Sequence, residues 1–196
     1  GVTLPAHNAL WFNADSLLAV NLEINTNQAR VNGAWVNGAA IYSNGQPANQ
    51  ESQKVFISAA GLRNYRRVFV RASTTTQGYS GYIYATSGSN YTDGYINKNG
   101  AWFATLTTTG AWPYASNHIV RIVVSGTTTT SISVYVDAVQ VGTTQTDTTS
   151  PITSGTPGFG IYCNSDGNGL TTLVDDWTDN IGAGGGGAKF PTPHLW

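Results

Sequence analysis

The chain reads as an all-β protein, a sandwich of two antiparallel sheets in one domain, and three observations carry that expectation. Strong helix formers are scarce: methionine is absent and glutamate occurs only at Glu23 and Glu51. Thr, Val, Ile and Tyr, which suit a pleated half-buried surface, fill short runs of alternating polarity. Between those runs stand Gly and Asn turn signals, with 23 glycines among 196 residues. A single sandwich of about 200 residues is large enough to bury a core without covalent staples.

Taken in order, residues 4–12 are apolar without a clear period, and 17–24 are too short for periodicity to separate strand from helix. Asn32-Gly33, Asn37-Gly38 and Asn44-Gly45 read as turns, because both residues of such a pair tolerate positive φ. Strands are expected at Lys54–Ala59, Tyr65–Ala72 and Tyr79–Ala85. Asp93–Lys98 and Ala101–Thr107 form a hairpin through Asn99-Gly100. His118–Ser125 and Thr130–Val136 follow, then Val139–Thr144 after a tight turn at Asp137-Ala138. Gly158–Cys163 and Leu170–Trp177 close the series across the loop Asn164–Gly169. The organisation expected is an N-terminal arm (1–16), a β-sandwich (17–181), and a glycine linker with an apolar tail (182–196).

The succession Arg66–Ala72 (RRVFVRA), Tyr79–Tyr84 (YSGYIY), Asn99–Leu106 (NGAWFATL), His118–Thr130 (HIVRIVVSGTTTT), Ser133–Gly142 (SVYVDAVQVG), Ser154–Tyr162 (SGTPGFGIY) and Leu173–Trp177 (LVDDW) resembles the laminin-G-like, concanavalin A-like jelly roll over residues 54–180. The resemblance implies two stacked antiparallel sheets, one concave. It does not imply one function, since the family holds glycosidases, lectins, adhesion domains and modules of bacteriophage virions.

Charge excludes several classes. Only 10% of residues are charged and the net charge is −1, so no basic surplus exists to neutralise a nucleic-acid backbone. Arg63, Arg66, Arg67 and Arg71 cluster, and in a strand-like run they read as a solvated strand face. No apolar run of about 18 residues is present, so no membrane-spanning helix is expected. Gly1-Val2-Thr3 lacks a basic and apolar leader pattern. The single Cys163 forms no internal disulfide, so folding does not call for an oxidising compartment.

Catalysis is not expected. Glycoside hydrolysis needs two carboxyl groups facing one sugar. Glu23 and Glu51 stand alone, and the adjacent Asp175 and Asp176 project to opposite faces of a strand. Asp175 and Asp179 have same-face spacing, but Asn180 and Gly182 read as the end of that strand. His7, His118 and His194 are scattered, with no nucleophile elbow in support, and His118 reads as structural. A zinc site lacks ligand spacing. Asn164, Asp166 and Asn168, with Asp175 beyond, partly match a calcium loop. Asn stands where the first Asp belongs, so a plain Gly/Asn hairpin turn is preferred and structural calcium is the alternative; no other cofactor is expected.

Two binding roles remain. Aromatic faces beside amides and hydroxyls hold sugars, and Tyr79, Tyr82, Tyr84, Tyr91 and Tyr95 with Trp102 and Trp112 are available. The set Tyr82, Tyr84, Tyr91, Tyr95 and Trp112 is the candidate glycan surface, against the alternative that such rings pack in the core. Leu10, Trp11 and Phe12 at one end, and Phe190, Leu195 and Trp196 beyond the glycines, read as arms that dock on a neighbouring subunit or fold back on their own domain. The expectation is a non-catalytic surface or assembly module: a head-decoration or fibre-type protein on a virion surface, homo-oligomeric or bound to a capsid partner, with glycan contact. The alternative is a secreted lectin-like module. Asn90-Tyr91-Thr92 is a formal glycosylation sequon.

Overall fold

The structure is a computed structural model and describes residues 2–3, 11–13, 22–25, 28–31, 37–42, 48–57, 64–74, 77–84, 90–113, 117–163 and 173–179. The described residues hold fifteen strands: β1 (Val2–Thr3), β2 (Trp11–Asn13), β3 (Leu22–Asn25), β4 (Gln28–Val31), β5 (Asn37–Tyr42), β6 (Gln50–Ile57), β7 (Asn64–Thr74), β8 (Gln77–Tyr84), β9 (Asn90–Lys98), β10 (Ala101–Pro113), β11 (His118–Ser125), β12 (Thr130–Val136), β13 (Val139–Asp147), β14 (Thr156–Cys163) and β15 (Leu173–Asp179). They make two sheets, in the orders β1-β3-β4-β15-β6-β11-β12-β13 and β10-β9-β8-β7-β14-β5-β2, with antiparallel neighbours throughout. This is the expected jelly-roll sandwich.

The core follows from alternation. Strand side chains repeat every two residues. On β11 this buries Val120, Ile122 and Val124, and on β12 Ile132, Val134 and Val136. The seven-stranded sheet answers with Val68, Val70, Tyr79, Ile83, Ile96, Leu106 and Phe159. Gly81 lies among these inward positions because the opposite sheet comes too close for a side chain: a Cβ there would stand 2.7 Å from Val134 Cγ2.

One expected turn changes, and two segments that the sequence leaves open are placed. Asn37-Gly38 is strand rather than turn, Asn37 pairing with Tyr162 and Gly38 with Ile161. β5 lies between β14 and β2, and pairing on both sides overrides local turn preference. Segment 17–24 contributes a strand at Leu22–Asn25. Residues of the expected N-terminal arm pair within the chain's own sheets: β1 with β3, and Trp11 and Phe12 of β2 with Tyr42 and Ile41. Leu10, Phe190, Leu195 and Trp196 lie outside the described residues, as do Asn32-Gly33 and Asn44-Gly45.

The arginine cluster is not a solvated strand face. Arg66 and Arg71 are each 1% exposed, while Arg67 is half-buried against aromatic rings and Arg63 lies outside the described residues. Arg66 shares the inward parity of Val68 and Val70; for Arg71 alternation misleads because β7 is irregular, its pairing with β8 jumping from Val70↔Tyr79 to Thr74↔Gln77, with φ 49° at Arg71.

Two hairpin turns match their sequence signals. Asn99 (φ 50°) and Gly100 (φ 76°) join β9 to β10; Asp137 (φ 50°) and Ala138 (φ 67°) join β12 to β13. Both central residues in the left-handed region match the strand twist of a tight hairpin. His118, 4% exposed, secures the second turn: Nδ1 lies 2.7 Å from Asp137 Oδ2, and Nε2 lies 2.8 Å from the Pro113 carbonyl. That is the structural role expected of it. Ala138 is the strained member, since a Cβ in the left-handed region costs about 1–2 kcal/mol. Ala138→Gly is expected to raise stability by about 0.5–1 kcal/mol, the relief being offset in part by a freer unfolded chain. An increased urea midpoint with an unchanged slope checks this.

Candidate functional site

Residues that do not face the core define the outer surface of the seven-stranded sheet. On β7, β8 and β9 the inward positions are Val68, Val70, Tyr79, Ile83 and Ile96. Arg67, Phe69, Ser80, Tyr82, Tyr95 and Asn97 therefore point away from the sandwich interior, and of these Arg67, Tyr82 and Tyr95 are half-buried whereas Phe69, Ser80 and Asn97 are buried. The register aligns them in two rows across the strands. One runs Arg67, Tyr82, Tyr95, Thr105; the next runs Phe69, Ser80, Asn97, Trp102.

The first row is built on aromatic contact. Tyr82 and Tyr95 stack with ring centroids 5.3 Å apart and planes 23° apart. The Arg67 guanidinium lies 5.0 Å from the Tyr82 ring centroid and 5.8 Å from that of Phe69. In the second row Trp102 is 67% exposed, its indole Nε1 donating to Thr105 Oγ1 at 3.2 Å. Beside it Asn97 is only 8% exposed, and its Oδ1 has no hydrogen-bond partner. An open indole, a phenol pair and a buried amide on one surface are the elements that grip a ring with one apolar face and hydroxyl edges.

Of the aromatic set read from the sequence, Tyr82 and Tyr95 come together here. Tyr84 and Tyr91 belong to the backbone of β8 and β9, in register with Asp93 and Trp112, and their side chains lie outside the described residues. Trp112 is half-buried against the core, and Tyr79 is fully buried within it. Asn97 was not singled out from the sequence. Its alternation with Ile96 was visible, but its place beside Trp102 depends on the hairpin register.

Where these strands end, a cleft of about 700 Å³ is lined by Arg71, Ser73, Gln77, Gly78, Asn99, Ile152, Ser154 and Gly155. Asn99 closes its floor: its Oδ1 accepts from the Gly78 N–H at 3.1 Å, and its own N–H donates to the Gly78 carbonyl at 2.9 Å. Arg71 forms the wall. Its Nε donates to the Ala48 carbonyl (2.7 Å) and its Nη1 to Thr130 Oγ1 (2.8 Å) and the Ile152 carbonyl (2.5 Å). Its Nη2 donates to the Gly126 carbonyl (2.5 Å) and again to Ala48. All five guanidinium N–H groups are thereby used, and none meets a carboxylate. Burial pulls the pKa of this group below its ordinary value.

Among the described residues, Asp147, Glu51 and Asp137 are engaged structurally. Asp147 is 2% exposed, 2.7 Å from Lys98 Nζ, and accepts from the Tyr79 hydroxyl at 2.5 Å. Burial pushes the Asp147 pKa up, but hydrogen bonds from Lys98 and Tyr79 outweigh it and hold the group below its usual range. Glu51 faces Arg121 at 3.5 Å, and Asp137 faces His118. β15 continues through Asp179, beyond the expected end, with a register shift between Asp175, paired with Val55, and Thr178, paired with Gln53; the side chains of Asp175 and Asp179 lie outside the described residues. Among the described residues no group of three His, Cys, Asp or Glu side chains is placed to hold a metal ion. Asn164, Asp166 and Asn168 lie outside the described residues.

No family model matches the chain, and no curated protein matches it. Solved structures do. The carbohydrate-binding module CBM66 from Bacillus subtilis superposes with TM-score 0.56 at 14% identity, over 87% of this chain and 95% of that one. The metal-free Emp46p carbohydrate recognition domain gives TM-score 0.60 at 8% identity, over 91% of each chain. A legume lectin-like domain from Entamoeba histolytica gives TM-score 0.58 at 11% identity, over 89% and 91%. These likenesses establish the concanavalin A-like fold.

The Tyr79–Asp147 pair sets a pH dependence. Burial, then the hydrogen bond to Asp147, raises the Tyr79 pKa from 10.0 to about 12. A raised folded-state value means that the neutral phenol stabilises the fold fully below pH 10, and that this stability is lost as the pH rises towards 12. Tyr79→Phe is expected to lower stability at neutral pH by about 1–3 kcal/mol, because buried Asp147 loses a donor. The same variant should flatten the decline between pH 10 and 12. Denaturant midpoints measured across that range check both effects.

Proposed function

We propose that this chain is a non-catalytic carbohydrate-binding module whose site is the outer face of the seven-stranded sheet around Tyr82, Tyr95 and Trp102. The observation that carries the reading is Trp102, a tryptophan left 67% exposed beside a stacked tyrosine pair. A soluble domain gains nothing in stability from an open indole on an edge strand, and the same ring stacks on the apolar face of a sugar. Asn97, in register with Trp102, holds an Oδ1 buried without a partner, an acceptor still open to a donor. Solved structures with this fold include those named as carbohydrate-binding and carbohydrate recognition domains, which supports the choice of ligand class. The structural engagement of Asp147, Glu51 and Asp137 supports a binding role over hydrolysis. Trp102→Ala is expected to weaken glycan binding at least tenfold, about 1.4 kcal/mol, with an unfolding midpoint close to that of the parent chain. A glycan array followed by calorimetry on the best ligand reads the effect, and undiminished binding by the variant removes this face from the site.

A second reading, in which many copies of the module coat a virion surface or another assembly, draws on the opposite sheet. Val139 (61% exposed) and Ile119 (38% exposed) both lie at the β12–β13 turn, beside Arg121 stacked 4.2 Å over Tyr135. Exposed apolar side chains next to a cation over an aromatic ring suit a protein partner. Light scattering on the full chain is expected to show a defined oligomer that Val139→Lys dissociates; a monomer at high concentration removes self-assembly.

A further inference from the structure

The outer-face rows continue towards the cleft. Along β8 and β9 the row Tyr82/Tyr95 is followed two residues on by Ser80/Asn97, and two further on by Gly78/Asn99, which belong to the cleft. Ser80 and Asn97 are themselves buried, so the exposed connection runs along the β9–β10 hairpin: Asn99, which lines the cleft, stands two strand positions, about 7 Å, from Asn97, the register partner of the exposed Trp102. A single sugar ring does not occupy both the cleft and the face of Trp102, whereas a linear chain does.

The cleft differs from the aromatic face in chemistry. Its lining is small and polar, Ser73, Gln77, Asn99 and Ser154, with Arg71 set in the wall. Arg71 has no donor left for a ligand, because carbonyls and the Thr130 hydroxyl occupy all of them. Its charge is another matter. Those partners are neutral, and among the described residues no carboxylate is paired with it, so a positive charge stands behind the cleft wall where water screens it poorly. Lys98, the neighbouring cation, is already neutralised by Asp147.

We propose that the cleft is a second subsite, specific for a carboxylate-bearing sugar unit, of a linear acidic glycan whose neighbouring unit stacks on Trp102. The inference rests on the glycan-binding reading and adds to it a second location, a chain length and a charge. Arg71 acts as a fixed field rather than as a direct ligand. Contacts come from the short Ser154 and from Ser73 and Gln77, where Ser73 Oγ already donates to Gln77 Oε1 at 2.9 Å and leaves the Gln77 amide N–H groups to the ligand.

The test uses the full chain and matched tetrasaccharides: α- and β-1,4-linked hexuronate oligomers, each beside its carboxyl-reduced counterpart, titrated by calorimetry at low and high salt. The expected result is that one uronate binds about tenfold more tightly than its reduced form, a preference of the size a partly screened charge provides, and that salt narrows the gap. Ser154→Trp and, separately, Gln77→Trp fill the cleft and should abolish the difference between the members of the pair. Each variant's near-ultraviolet dichroism confirms that it is folded. Equal affinity for uronate and reduced oligomers overturns the proposal, as does an acid preference that survives both cleft-filling variants. Binding of neutral glycans lost on Trp102→Ala, with no acid preference, overturns the second subsite and keeps the aromatic face. Failure of every glycan to bind overturns both.

Discussion

The sandwich is closed at one end by a buried cation. Arg71 lies on β7 of the seven-stranded sheet, and its guanidinium gathers carbonyls from Ala48 before β6, Gly126 after β11, and Ile152 on the crossing from β13 to β14, with the hydroxyl of Thr130 on β12. Three of these segments belong to the opposite sheet or lead out of it. A charge 1% exposed is costly unless every donor is satisfied, and here every donor is. The surroundings are shaped to permit this. Gln50 accepts the Arg71 backbone N–H at 2.7 Å and donates to the Gly155 carbonyl at 2.8 Å. Gly155 has φ +127°, and a Cβ there would stand 2.3 Å from the Arg71 carbonyl carbon, so no other residue fits. The left-handed φ of Arg71 is held by the same bonds, since a non-glycine residue does not keep that conformation unaided.

The two ends of β11 show how this clamp relates to the core. Gly126, bound to Arg71, follows its last residue; His118, bound to Pro113 and the Asp137 turn, is its first. Between them run Val120, Ile122 and Val124, packed against the facing sheet. Apolar burial provides the non-directional part of the stability, roughly 25 cal/mol for each Å² removed from water. It does not specify how one sheet is placed along the other. Directional bonds at either end of a central strand do.

How far the sequence discloses this can be read from particular residues. The strand–turn–strand units with local signals were legible: Asn99-Gly100 and Asp137-Ala138 form the tight turns expected of them, because both conformations are decided within a few residues. The sandwich was legible from alternation. Asn37-Gly38 was not, because long-range pairing with Tyr162 and Ile161 overrode a local preference. Arg71 was not, because a bulge shifts the parity of β7 after Val70 and turns an outward position into a buried one. For the site, Tyr82 and Tyr95 were recognisable as chemistry, but their stacking required the β8–β9 register, which alternation alone does not set. Asn97 and the cleft required the folded chain.

The division of labour between the two sides of each strand explains where function can reside. In β8 and β9 every second residue is committed to the interior: Tyr79, Gly81 and Ile83, then Gly94 and Ile96, positions where the opposite sheet leaves no freedom of size. Between them Tyr82 and Tyr95 are half-buried and carry no such constraint, so a substitution there changes the surface without disturbing the core, whereas Ser80 and Asn97 are covered. The register that stacks the interior therefore also aligns Tyr82 with Tyr95 and Asn97 with Trp102, at no added cost in backbone order. The end of the sheet is the exception. There the clamp and the cleft share residues, since Arg71 and Gly155 both close the sandwich and line the depression. Recognition at the aromatic face can change by surface substitution alone, whereas the electrostatic character of the cleft is tied to the interaction that joins the two sheets.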